Sequence, residues 1–188
     1  MKKLILSVVF CGLAAGSSFG QGALIFSNLG SGASSTTVNA PFFDVDGTTK
    51  LSGAFFSAQL YYGVLSTPVG SLVNTVSAGV NLANFNTGGF AGYFSATPSL
   101  TLNGVGIGTA ATVQFRAWDN RTGATWETAT VRGQSAVLTS PVLGDPLNAG
   151  SLPVVSSLGS VTLAAVPEPA TLALGLFGAA GLLFRRRK

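Results

Sequence analysis

Histidine is missing altogether from the 188 residues, and cysteine and methionine occur once each. The first absence excludes every mechanism that needs an imidazole, from Ser-His-Asp hydrolysis to His-ligated zinc. Charge is scarce as well. Lys, Arg, Asp and Glu make up 9% of the chain, against roughly 25% in typical soluble domains. With 47% hydrophobic residues, this composition argues against a disordered chain. The net charge of +4 is unevenly placed. Six of the ten cations are Lys2, Lys3, Arg185, Arg186, Arg187 and Lys188. Between Gln21 and Ala165, four cations (Lys50, Arg116, Arg121, Arg132) meet five acids (Asp44, Asp46, Asp119, Glu127, Asp145), a balance of −1. The basic character therefore belongs to the two ends and is not a nucleic-acid footprint.

The first end has the three parts of a secretory signal. Lys2 and Lys3 precede an apolar run from Leu4 to Ala15, and small residues follow. Ser18 and Gly20 stand at −3 and −1 if cleavage falls between Gly20 and Gln21. Residues 1–20 are predicted to be a signal peptide with a helical apolar core, read by the secretion translocon. A retained anchor is the alternative, but a stable span takes ~20 apolar residues. Cys11 lies inside the run behind Phe10, where lipid attachment would want a small side chain. Once the leader is removed, neither a disulfide nor a thiol nucleophile remains.

The other end is the stronger signal. Val166-Pro167-Glu168-Pro169 is followed by the uncharged stretch Ala170 to Phe184, then by Arg185, Arg186, Arg187 and Lys188. The prolines cannot sit inside a helix without cost, so they mark where an extended segment ends and a helix begins. Glu168 lies just ahead of that helix, where a negative charge suits the N-terminal dipole. Fifteen apolar residues give ~22 Å of helix, short of the ~30 Å hydrocarbon core. Snorkelling arginines and a thinned bilayer make a short transmembrane helix feasible. The terminal cations stop the helix on the cytoplasmic side, which leaves the Pro-Glu-Pro outside.

This tail, residues 166–188, resembles the PEP-CTERM sorting signal of Gram-negative envelope proteins. All three parts stand in order: Pro-Glu-Pro at the membrane edge, a short helix rich in small residues, and an arginine cluster. The resemblance implies recognition of Val166, Pro167, Glu168 and Pro169 by an exosortase, a membrane-embedded processing enzyme of the cysteine protease or transpeptidase kind. It also implies a precursor held transiently in the inner membrane, then release to the cell surface, and an association with exopolysaccharide and biofilm. A fainter likeness covers Gln21–Phe26, Phe43–Leu51 and Phe115–Asp119, which look like segments of PEP-CTERM proteins from Verrucomicrobia-type bacteria. It implies no activity.

Residues 21–165 carry no convincing helical period. Short apolar runs recur between turn residues instead, the pattern of an antiparallel β-sandwich or jelly-roll-like domain. Predicted strands are Leu24 to Asn28, Ala54 to Tyr62, Leu72 to Val76, Phe90 to Phe94, Ser99 to Leu102, Ala111 to Trp118, Thr125 to Arg132, Ala136 to Thr139 and Ser157 to Ala165. In the longest run, Phe56, Ala58, Leu60 and Tyr62 share one face, with Phe55, Ser57, Gln59 and Tyr61 on the other. The clearest predicted hairpin joins Ala111–Trp118 to Ala124–Arg132, with Arg116 and Glu127 able to pair across it.

The remaining constellations are weak. Asp44-Val45-Asp46-Gly47 faintly resembles a calcium loop, but the position that should hold Glu is Gly53. A turn capped by its own aspartates is the plainer reading. Gly104, Gly106 and Gly108 lack the following helix of a nucleotide loop. Asp119 and Glu127 are the best pair for a glycosidase, but they read as a turn former and a solvated strand residue. Trp118, Trp126, Tyr61, Tyr62 and Tyr93 could form a sugar-stacking platform, although packing is the default for such rings. The sequence thus predicts an exported envelope or matrix protein of structural or adhesive role, with no cofactor, no metal and no catalysis. A carbohydrate-binding module is the alternative.

Overall fold

The structure is a computed structural model that describes residues 20–74 and 82–166. The predicted signal helix and transmembrane helix lie outside the described residues. Within them no helix is long and apolar enough to cross a membrane. The described chain is all-β, with thirteen strands: β1 (Gln21–Phe26), β2 (Leu29–Ser31), β3 (Thr37–Asn39), β4 (Phe42–Phe43), β5 (Gly53–Val64), β6 (Val73–Asn74), β7 (Ala83–Phe85), β8 (Thr97–Gly106), β9 (Ala111–Asp119), β10 (Val131–Gln134), β11 (Leu138–Thr139), β12 (Val161–Thr162) and β13 (Ala164–Ala165).

The largest sheet runs β13-β10-β9-β5-β6, with β11 also on β9 and β7 also on β5. Its spine is the β5–β9 ladder, antiparallel from Phe56↔Asp119 to Val64↔Ala111 without a break. The alternation read in the sequence sets its inner face. Phe56, Ala58, Leu60 and Tyr62 of β5 join Ala111, Val113, Phe115 and Ala117 of β9 in the core. Facing them is the antiparallel pair β1–β8, which contributes Leu24, Phe26, Leu100, Leu102 and Val105. Phe94 sits among four rings, 4.6 Å from Phe26, 5.8 Å from Phe85, 5.9 Å from Phe42 and 6.5 Å from Phe115. Each such buried ring contributes roughly 1.5–3 kcal/mol of burial. One polar side chain shares this interior. Asn28, fully buried, donates to the carbonyls of Ala40 and Gly92 and accepts from the Phe94 amide.

The end of the domain closes on its beginning. Ala23 exchanges backbone hydrogen bonds with Gly144, and the Ile25 amide donates to Pro153. β12 pairs with β4, and this contact is parallel, a departure from the all-antiparallel expectation.

Three predicted strands need correction. Thr125–Arg132 is not a strand: the chain turns there and becomes extended only from Val131. Thr128 and Ala129 amides both donate to Thr125, and the Thr128 hydroxyl accepts from the Thr125 amide. Local Thr-to-backbone bonds thus override the strand preference of Thr and Trp. Phe90–Phe94 is broken by the turn Gly88–Phe90 and by Gly92, and only Phe94 keeps a bridge, to Phe85. Ser157–Ala165 yields two short strands, β12 and β13, which join different partners.

Candidate functional site

Of the residues singled out in the sequence, Pro167, Glu168, Pro169, Arg185, Arg186, Arg187 and Lys188 lie outside the described residues. Those bordering them are placed. Gln21 opens β1 opposite Gly106, and the Gly20 carbonyl accepts from Ile107 at 3.0 Å. At the other end β13 lies against β10, with Ala165 opposite Val131 and Ala164 opposite Arg132. The Val166 amide donates to Thr130 at 2.7 Å. The fold therefore runs from the predicted leader boundary to the first residue of the sorting element, with no intervening linker.

Val166 bonds to Thr130, two residues before Arg132, which belongs to a cluster of rings and cations on the outer face of the large sheet. Tyr61 and Gln59 of β5 stand opposite Gln114 and Arg116 of β9. The turn-rich segment between β9 and β10 folds back over them. The Arg116 guanidinium is 3.7 Å from the Tyr61 ring centre and 4.2 Å from that of Trp126. The Arg132 guanidinium lies 4.3 Å from the Trp126 ring. Tyr61, Arg116, Trp126 and Arg132 thus form one stack of alternating rings and cations, each contact worth roughly 0.5–2 kcal/mol. Hydrogen bonds fix it. Arg116 Nε donates to the Gln114 side chain at 2.9 Å, Trp126 Nε1 donates to the Gly133 carbonyl at 3.1 Å, and Arg132 Nη1 donates to the Glu127 carbonyl at 2.9 Å.

Arg116 and Glu127 do meet, at 3.8 Å, but Glu127 arrives from the turn and not from a facing strand. The Tyr61 hydroxyl donates to its carboxylate at 2.6 Å. Partial burial alone would raise the Glu127 carboxyl; that hydrogen bond, with the Arg116 charge beside it, holds it below its ordinary value. Burial first, and the Glu127 carboxylate second, push the Tyr61 hydroxyl up. At the start of the segment Arg121 grips Asp119 through Nε and Nη2, at 2.9 and 2.7 Å. That contact lowers the Asp119 carboxyl.

The aromatic platform does not assemble as an exposed row among the described residues. Trp118, Tyr61 and Tyr62 are buried. Trp126 is half-buried between two guanidiniums. Tyr93 donates to Asn39, with Lys50 5.8 Å from its ring. Asp46 Oδ1 accepts the Thr48 and Thr49 amides at 2.9 and 2.8 Å, and Oδ2 accepts the Thr49 hydroxyl. Those bonds, the Thr49 hydroxyl first, lower its pKa to about 2, and Gly47 takes the left-handed φ of 69° that the turn requires. This carboxylate caps its own turn. No cluster of three metal-binding side chains occurs among the described residues. An open depression lined by Gly20, Gln21, Gly104, Val105, Gly106, Ile107 and Thr109 offers no charged group.

The stack itself was missed in the sequence. Trp126 and Arg132 are six residues apart, which in the predicted strand Thr125–Arg132 would put them on one face but far apart along it; only the turn before Val131 brings them together.

Residues 165–188 match the PEP-CTERM protein-sorting motif. No curated protein and no solved structure matches the chain, and the fainter Verrucomicrobia-type likeness gains nothing from these comparisons. The motif marks a protein sorted to the cell envelope by an exosortase, through a membrane-anchored precursor.

Proposed function

We propose that this chain is a structural or adhesive component of the extracellular polysaccharide layer. Its leader is removed near Gly20–Gln21, and its tail is processed at or near Pro167–Pro169. The β-domain of residues 21–165, read as a sandwich, is the part delivered. The observation that carries this reading is the sorting motif at residues 165–188, set directly behind a folded β-domain. The placement of the aromatics supports the structural role over carbohydrate binding. Sugar rings need an exposed aromatic face, and these rings pack against the core, against arginines or against each other. A non-catalytic role is supported by the acids: Asp119 is bound by Arg121, Asp46 caps a turn, and Glu127 accepts from Tyr61.

Intact-mass measurement of the native protein, from membrane and extracellular fractions separately, tests the proposal. The expected extracellular mass lacks both the leader and the residues after the Pro-Glu-Pro region, and glycan adducts would place it in the matrix. Replacing Glu168 by Ala is expected to leave the unprocessed form in the membrane. An extracellular form that retains Ala170–Lys188 would overturn it.

A further inference from the structure

The chain leaves the domain at a fixed point, with β13 on β10 and the Val166 amide on Thr130. Only Pro167, Glu168 and Pro169 separate Val166 from the apolar stretch that opens at Ala170. Fully extended, those four steps reach about 14 Å at ~3.5 Å per residue. The headgroup layer occupies about 5–7 Å of that distance. A domain of this size has a radius of gyration of about 15 Å. The tether is therefore shorter than the domain is wide. While the tail is in the membrane, the domain cannot swing clear, and the face around Thr130 and Val166 lies against the headgroups. This step rests on the membrane-anchored precursor.

That face carries a particular chemistry. Thr130 closes the turn that presents Trp126, and Arg132 follows two residues later. Both ion pairs among the described residues use other arginines, Arg116 with Glu127 and Arg121 with Asp119. Arg132 gives Nη1 to the Trp126 and Glu127 carbonyls and has no carboxylate partner there. A guanidinium with free donors matches a phosphate, and Trp is enriched at the membrane–water interface. Three arginines against Asp119 and Glu127 leave this segment and its flanks at +1. Glu127 is the opposing charge, and its carboxylate is taken up by Tyr61 and faces Arg116.

We propose that Trp126 and Arg132 form a membrane-docking surface for anionic phospholipid headgroups. Arg132 takes the phosphate, and Trp126 seats in the interfacial layer. Docking would hold the precursor flat on the bilayer with its Pro-Glu-Pro at a fixed depth.

The test uses the full chain in vesicles of phosphatidylcholine, with or without phosphatidylglycerol. Flotation reports the tail, and quenching of tryptophan fluorescence by headgroup-labelled lipid reports docking. Trp126→Phe assigns the signal, because Trp118 is buried. A flexible spacer of ~20 residues between Val166 and Pro167 removes the tether's constraint. The expected result is that the spacer form is quenched in anionic vesicles and not in neutral ones. Arg132→Gln is expected to weaken that docking about fivefold, and Arg132→Lys to retain most of it, which separates lost charge from a lost fold. A spacer form that floats with anionic vesicles but is unquenched overturns the proposal and leaves the face to the processing enzyme. A native chain that fails to float overturns both the docking and the membrane-anchored precursor.

Discussion

A single buried amide shows how much can rest on one residue in a domain with so little charge. Asn28 ties the mouth of the β2–β3 ladder, where the Ala40 amide donates to its carbonyl, to the stretch from Gly92 to Phe94. Removing it strands the Phe94 N–H and the Ala40 carbonyl in a dry interior, at roughly 1–3 kcal/mol each, while the Gly92 carbonyl keeps the Phe42 amide. Asn28→Ala is therefore expected to destabilise the domain by about 2 kcal/mol or more, measured as a lowered midpoint in urea. A loss below about 1 kcal/mol would mean that water replaces the side chain. In the sequence Asn28 ends the predicted strand Leu24–Asn28, and nothing there marks it as buried. Only the folded chain places it beside Phe94.

At the scale of the element, the segment between β9 and β10 decides how the outer face is covered. It folds back closely because Gly123 lies against the backbone of Thr128 and Ala129. A Cβ there would stand 2.4 Å from the Ala129 nitrogen. Gly123→Ala is expected to push the turn off the sheet at a cost of about 1–3 kcal/mol. The checks are thermal melting and increased exposure of Trp126 to a soluble quencher. Unchanged quenching would show that the turn absorbs the methyl group. The neighbouring strands were legible. β5 and β9 carry an apolar residue at every second position, on their inner face, and that period of two survives translation into a ladder. The turn was not. Its residues have strand preferences, and they lose to hydrogen bonds between Thr125, Thr128 and Ala129 that no periodicity encodes. The stack was illegible for the same reason, since Trp126 reaches Arg116 only once the turn is in place. The sorting element is the opposite case. It is a linear signal, readable without any fold.

For the whole molecule, the shifted groups set a pH range. The Asp119 and Glu127 carboxyls are lowered in the folded state. Their stabilisation is complete above the ordinary carboxylate range, near ~4, and is lost as pH falls through the lowered values. The Tyr61 and Tyr62 hydroxyls are raised, chiefly by burial. Their contribution is complete below ~10 and is lost as pH rises through the raised values. The melting temperature is expected to be level between these limits and to fall on both sides. Asp119→Asn should make the acid limb shallower, with Asp46 and Glu127 still contributing, and leave the alkaline limb unchanged, as calorimetry across pH would show.

The contacts of Ala23 with Gly144, Ile25 with Pro153 and β4 with β12 bear on timing as well as stability. Pairings between the two ends of a chain are entropically costly and form late. β1 and β4 stay without these partners until the segment from Gly144 to Thr162 is present. The β5–β9 and β1–β8 ladders lie wholly within residues 21–119, but the seam that closes the domain's end onto its beginning waits for the residues just before the sorting element.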